Sequence, residues 1–171
     1  MTVVYSNEPR DRDEIGILRK RTIEAGVIAP IYAELVAEFG ETKAQMIIDK
    51  AIRKAATESA REFASKTQGG TSLQTFQELQ SLWTQDDALE IKVLKATATE
   101  FEYDVLRCRY AETYKSMGIG NIGHLLSCNR DAVFCEGYDS RISMRRTQTL
   151  MGGANHCDFR YTFNEDGAGQ E

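Results

Sequence analysis

The sequence predicts an α+β fold: an N-terminal helical hairpin packed with a small antiparallel sheet and flanking helices. Three observations predict it. Apolar residues recur at helical spacing through the first half. The period changes to two at Leu89, which marks strands. Gly-Gly pairs at 69–70 and 152–153 punctuate the pattern as turns.

The helical half begins at Ile15. "EIGILRKRTIEAGVIAPIYAELVAEFG" carries Ile15, Leu18, Thr22, Ala25 and Ile28 at helical spacing. Pro30 is expected to kink or restart this helix, because proline removes a ladder N–H. Ile31, Leu35, Val36 and Phe39 continue the apolar face, and Gly40 is a C-terminal stop. "TKAQ" at 42–45 has the form of a capping box. Ala44, Ile47, Ile48, Ala51, Ile52, Ala55 and Phe63 mark a second long helix, which "TQGGTS" ends. A shorter helix follows with Leu73, Phe76, Leu79 and Leu82 inward.

Beyond it, "LEIKVLKATATEFEYDVLRC" alternates, with Leu89, Ile91 and Val93 and then Phe101, Tyr103 and Val105 on one face. That predicts an antiparallel strand pair. "RYAETYKSMG" and "GNIGHLLSCNRDAVFCEGY" are expected to be helical. "RISMRRTQTLM" and "CDFRYTF" are expected to be two more strands joined through the Gly152-Gly153 turn. The domain is then residues 15–163, between an arm at 1–14 and a flexible tail at 164–171.

At 171 residues the chain can bury a core as one domain. Charged residues make up 27% and the net charge is −5, so no basic footprint points to nucleic acid or to an anionic membrane surface. No apolar run approaches the roughly 20 residues of a membrane span. The acidic, polar start "MTVVYSNEPRDRDE" lacks the apolar core of a signal peptide. Cys108, Cys128, Cys135 and Cys157 are therefore expected as reduced thiols in a cytoplasm. No CxxC pair occurs, so no zinc-finger pattern is present.

The chemistry-bearing residues lie in the second half. On one continuous helix, His124, Cys128, Asp131 and Cys135 would fall within about 60° of each other. An imidazole, two thiols and a carboxylate beside an apolar face form an unusual stripe. Asp131 would raise the Cys128 pKa rather than lower it. It could instead orient an imidazole or protonate a leaving nitrogen. Each cysteine also has a plain reading as a small buried hydrophobe, and Cys135 beside Phe134 fits it best. His124, next to two leucines, has the plain reading of a hydrogen-bonded surface or core histidine. Arg145 and Arg146 point to opposite strand faces. One suits a solvated edge and the other suits an anionic ligand, since a guanidinium pairs two-pronged with a carboxylate. Cys157 shares strand parity with Phe159, Tyr161 and Phe163 and starts that face, flanked by His156 and Asp158.

The segments "KRTIEAGVIAPIYAELVAEFG", "VLRCRYAETYKSMG", "LLSCNRDAVFCEGY" and "RRTQTLMGGANHCDFRY" resemble the bacterial L-2-amino-thiazoline-4-carboxylic acid hydrolase family. Its pattern has a cysteine before a short helix, here Cys108, and a Cys-x-x-Asp pair, here Cys128 and Asp131. It continues with an Arg-Thr strand, here Arg146 and Thr147, and a terminal Cys-Asp-Phe, here Cys157, Asp158 and Phe159. The stretch from "LLSC" through "ISMRRTQTLMGGANHC" is also similar to the 4-vinyl reductase domain of phenol-sensing regulators. That domain holds zinc with three cysteines and a glutamate. Two of its cysteine positions fall on Cys128 and Cys157, its glutamate on Arg146 and its third cysteine on Thr149. Arginine cannot ligate zinc, and a zinc site wants four ligands. No cofactor is therefore expected, and zinc would need a site rebuilt from Cys128, Cys157, Asp131 or His156.

These resemblances imply a 4-vinyl reductase-like architecture in which Cys128 and Cys157 lie close together. They imply a hydrolase that opens a small cyclic amidine or related carbon–nitrogen heterocycle, such as 2-amino-thiazoline-4-carboxylate to a carbamoyl-cysteine. In that scheme the nucleophile is Cys157, Cys128 or water. Asp131 or His156 protonates the leaving atom. Arg146 holds the substrate carboxylate, with Thr149, Cys108 and Asp158 beside it. The alternative is a sensor-like domain that binds a small molecule without turnover, disfavoured by the lack of an attached DNA-binding segment. A structural dimerisation domain with buried thiols is the third reading. The partner in either of the first two is a small molecule, and a homo-oligomer is compatible with the chain.

Overall fold

The computed structural model describes residues 15–165, so the expected arm at 1–14 and the tail beyond its first two residues lie outside the described residues. The predicted α+β architecture is present: helices packed on one four-stranded antiparallel sheet. α1 (Ile17–Phe39) and α2 (Glu41–Lys66) form the hairpin, and Gly40 turns the chain between them with a φ of 79°. That left-handed backbone favours glycine. Pro30 neither ends nor restarts α1, which runs through it. The carbonyl of Gly26, left without its ladder partner, lies on an exposed stretch where water can serve it. The capping box expected at 42–45 is not used, because α2 starts earlier, at Glu41 after Gly40, with no side-chain cap.

The expected third helix is two. α3 (Leu73–Glu78) carries a capping box between Ser72 and Thr75, and α4 (Gln80–Thr84) follows directly. The change of axis shifts the inward stripe. Leu73, Phe76 and Gln80 are buried, whereas Leu79 and Leu82 stay half-exposed.

The sheet consists of β1 (Leu89–Ala96), β2 (Glu100–Cys108), β3 (Ile142–Arg145) and β4 (Cys157–Phe163), in the order β1-β2-β4-β3. Phe101, Tyr103 and Val105 of β2 pair with Tyr161, Phe159 and Cys157 of β4. The period of two thus places all six side chains on one face, and all six are buried. β1 is an edge strand with register shifts at Glu90/Ile91 and Val93/Lys95. Val93, expected inward, is 45% exposed there.

Between β2 and β3 lie α5 (Arg109–Ser116), α6 (Gly123–Leu126) and α7 (Arg130–Tyr138). The helix expected across 120–138 is therefore interrupted at Ser127–Asn129. α7 lies close against α2. At Gly137 an added Cβ would sit 3.0 Å from Ala60 Cβ and 3.2 Å from the Thr57 carbonyl oxygen. The strand expected over 141–151 stops at Arg145, and a longer connection with a turn at 149–154 leads to β4. Within that turn the Thr149 carbonyl accepts from the Gly152 and Ala154 N–H groups.

Candidate functional site

Two hydrophobic clusters fill the fold, one under the α1–α2 hairpin and one between α3, α7 and the sheet. A cavity of about 90 Å³ lies where they meet. Its sheet side is aromatic. Tyr103 and Phe159 stack with centroids 4.9 Å apart at 14°, and Tyr161 continues the stack at 6.1 Å and 10° from Phe159. Phe76, Trp83 and Phe134 face it from α3, α4 and α7, with Trp83 edge-on to Phe134 at 5.1 Å. Ring stacking of this kind fixes the wall geometry at about 0.5–1.5 kcal/mol per pair beyond area burial.

The other end is polar. Cys108 at the end of β2, Cys128 before α7, Asp131 in its first turn, Arg146 after β3 and Cys157 at the start of β4 all line the cavity. Arg146 and Asp131 form an ion pair of 2.5 Å, with side chains 13% and 29% exposed. A second Arg146 nitrogen donates to the Cys128 carbonyl at 3.1 Å, and the guanidinium lies over the Phe159 ring at 5.0 Å. The Arg146 charge is thus held by a carboxylate, a carbonyl and a ring face at once. Burial pushes the Asp131 carboxyl up from its ordinary value, and the neighbouring Arg146 charge pulls in the opposite direction.

Burial also pushes up the thiols. Cys108 stands at about 11. Cys128 stands at about 12, with Asp131 adding to the rise as its position one turn away dictates. Cys157 is raised by burial too, but its sulfur accepts the Leu150 N–H at 3.2 Å, and both that bond and Arg146 favour its thiolate. Backbone N–H groups favour the thiolate of Cys108 as well, but among the three cavity thiols Cys157 combines a backbone donor with the nearby Arg146 charge.

Other residues singled out in the sequence lie elsewhere. His124 is exposed, and Cys135 is fully buried in the core with its sulfur against the Ala132 carbonyl. The helix break at 127–129 separates the stripe that one continuous helix would have made. His156 and Asp158 flank an inward residue on a strand, so parity turns them away from the cavity. His156 hydrogen-bonds Gln148 and Asn155. Asp158 accepts from the backbone N–H groups of Thr147 and Gln148 and from the Thr147 hydroxyl at 2.6–2.9 Å. Burial opposes its charge, yet these bonds win and hold its carboxyl at about 2. Thr149 Oγ1 caps the turn by accepting from Gly152 N–H. All three residues shape the connection that delivers Arg146 and Cys157.

One polar residue that pattern reading passed over is Gln80. It is 5% exposed, lines the cavity beside Phe76 and Trp83, and its amide has no side-chain partner among the described residues. No side-chain nitrogen or oxygen there is sealed off unbonded, so the amide opens onto the cavity. The available signal was Leu73, Phe76, Gln80 and Trp83 at helical spacing, a polar residue inside an apolar stripe.

The donors do not suit zinc. Asp131 is engaged by a guanidinium, the cavity thiols are held neutral, and a fixed cation in the cluster repels a dication. Among the described residues no group of three His, Cys, Asp or Glu side chains converges as a metal site needs.

A family model described as L-2-amino-thiazoline-4-carboxylic acid hydrolase matches residues 20–161. The chain belongs to that family. Of the positions that carried the resemblance, Cys108, Cys128, Asp131, Arg146, Cys157 and Phe159 line the cavity, whereas Thr147 and Asp158 do not. No curated protein matches the chain. Among solved structures, the phenol-responsive sensory domain of the transcription activator PoxR with phenol is similar at 12% identity. That match covers 86% of this chain and 76% of that one, with a TM-score of 0.54. The likeness shows a shared fold. A trafficking protein particle complex subunit 3 from Naegleria fowleri, covalently bound to palmitic acid, is similar at 15% identity and a TM-score of 0.45, covering 84% and 96%. Among the described residues no helix of this family member is long and apolar enough to cross a membrane.

Proposed function

We propose that the chain hydrolyses a small zwitterionic cyclic amidine, of which 2-amino-thiazoline-4-carboxylate is the compound its family is named for. The observation that carries this reading is the Asp131–Arg146 pair on the wall of a thiol-lined cavity. A buried ion pair costs desolvation, and opening it costs more unless each half finds a new counter-charge. A ligand with one cation and one anion supplies both. Its carboxylate takes the Arg146 fork and its amidinium takes Asp131. A cavity of about 90 Å³ suits a small ring and excludes a peptide or polymer.

The chemistry follows from the same residues. Asp131 accepts the Cys157 proton as the sulfur adds to the ring carbon between sulfur and nitrogen. That intermediate collapses, the ring bond breaks, and Asp131 returns the proton to the leaving atom. Water then adds to the enzyme-bound carbon and gives one proton to the amidine nitrogen; Asp131 passes the other to the Cys157 sulfur as the C–S bond breaks, and a carbamoyl-cysteine departs. The choice of thiol over water is one of magnitude. Even a thiol raised by burial is far more acidic than water.

The test is incubation of the purified protein with aminothiazoline carboxylate, following loss of the ring. Turnover that Cys157→Ser and Asp131→Asn each reduce by at least about a hundredfold is the expected result, with melting temperature nearly kept in Cys157→Ser and lowered in Asp131→Asn, which leaves Arg146 without its counter-charge. Binding of the ring without its loss would favour the sensor-like reading, which the neutral thiols and the free Gln80 amide also suit. Full activity in both variants would remove Cys157 and Asp131 from the mechanism.

A further inference from the structure

α1 is apolar on two opposite faces. Ala25 and Tyr32 are buried against the core, with Leu18, Ile28, Leu35 and Val36 packed beside them. On the reverse side Ile23, Val27 and Ile31 remain 55%, 59% and 49% exposed. A helix with an apolar stripe on each of two opposite sides belongs between two layers, and here the chain supplies one.

We infer that this outer face pairs with the same face of a second copy, α1 against α1, antiparallel about a twofold axis passing at Val27. Residues equidistant from Val27 then meet across the axis. Ile23 meets Ile31 of the second copy, and Lys20 meets its Glu34. The offsets of four and seven residues are those that return to one side of a helix, so the contacts form a continuous seam. Charge selects the direction. Lys20 and Glu34 are both exposed, and neither has an ion-pair partner among the described residues. An antiparallel pair sets each against its opposite, twice by symmetry, as a twofold interface requires. A parallel pair in register would set Lys20 against Lys20 and Glu34 against Glu34. The seam also backs the helix that places Ile17 and Arg21 in the cavity wall.

Light scattering on the full chain at tens of micromolar, in low salt, reads this directly. The expected mass is twice the 19.2 kDa of one chain. Val27→Asp gives a monomer with unchanged helical circular dichroism, since Val27 contributes to no core. Lys20→Glu weakens the dimer about tenfold, through two attractive contacts turned repulsive. Adding Glu34→Lys to that variant restores it. A monomeric native chain, a dimer indifferent to Val27→Asp, or a double charge variant no tighter than Lys20→Glu would each overturn the inference.

Discussion

Arg146 has a structural task besides the substrate-binding one proposed above, and substitution separates the two. As a ligand for a substrate carboxylate alone, its loss would spare the fold and raise KM. Its 2.5 Å pair with the partly buried Asp131 changes the expectation. Removing one partner of a buried pair costs about 3–5 kcal/mol, because the other charge stays behind. Asp131 can escape part of that by protonation, since burial already raises its pKa. Arg146→Ala should therefore cost about 2–3 kcal/mol at neutral pH and less at pH 5. The double variant Arg146→Ala, Asp131→Ala should be more stable than the sum of the singles, as urea titration of all four proteins would read. Asp158 gives the opposite pH signature. Its folded value of about 2 lies below the ordinary 3.8, so its contribution is complete above about pH 5 and is lost as pH falls through 2. The stability gap between the native chain and Asp158→Asn should be on the order of 1 kcal/mol at pH 6, allowing for solvent screening. It should close near pH 2. The residue types at the polar end were readable from "SCNRD", "MRRT" and "NHCDF", as was the inward parity of Cys157, but the path that brings Arg146 onto Asp131 was not. Strand parity turns His156 and Asp158 outward once Cys157 points in, and that follows only when the strand's start is fixed.

The elements were legible where the period was long and lost where it broke. The extent of α2 and the β2–β4 pairing follow their patterns, because each has a single buried face to specify it; on α2 that face is Ala44, Ile48, Ile52, Ala56 and Ala60, while Ile47, Ala51 and Ala55 of the expected stripe are exposed. The helix across 120–138 and the strand across 141–151 were overextended. In both, local propensity continues while the tertiary path turns: at Ser127–Asn129, where the axis changes, and at Arg146, whose side chain leaves the sheet for Asp131. Gly137 shows an element contact that the sequence carries in one atom's absence. Replacing it with alanine gains about 1 kcal/mol of helix propensity, yet forces a methyl against Ala60 and the Thr57 backbone. The net expectation is a loss of about 1–2 kcal/mol, or a melting temperature lower by about 2–8 °C. Gly26 is the control. It is also helical, has nothing within 4 Å of an added Cβ, and should gain stability when changed to alanine. If both variants shift in the same direction, the close approach of α7 to α2 is not what fixes glycine at 137.

At the scale of the whole molecule, the cavity is a junction. Its walls come from α1, α2, α3, α4, α5, α7, β1, β2, β4 and the connections before α7 and after β3, so no single segment encloses it. Composition and spacing identified the two layers, but not that their two cores would meet at an ion pair. That meeting depends on side chains far apart in sequence, such as Gln80, Asp131 and Arg146. The outermost strand bears on how such a molecule behaves when crowded. β1 leaves Val93 and Leu94 nearly half exposed on a sheet margin whose backbone groups on that side have no neighbouring strand among the described residues. A flat apolar margin is a template on which a foreign strand can grow. Here the template is spoiled. The two register shifts bend it, and Lys92 and Lys95 bracket the apolar pair with charge. Neutralising both, as Lys92→Val with Lys95→Val, should leave the native fold intact but shorten the lag before thioflavin-positive fibrils appear under agitation. A margin that looks merely irregular thus serves as a guard on solubility.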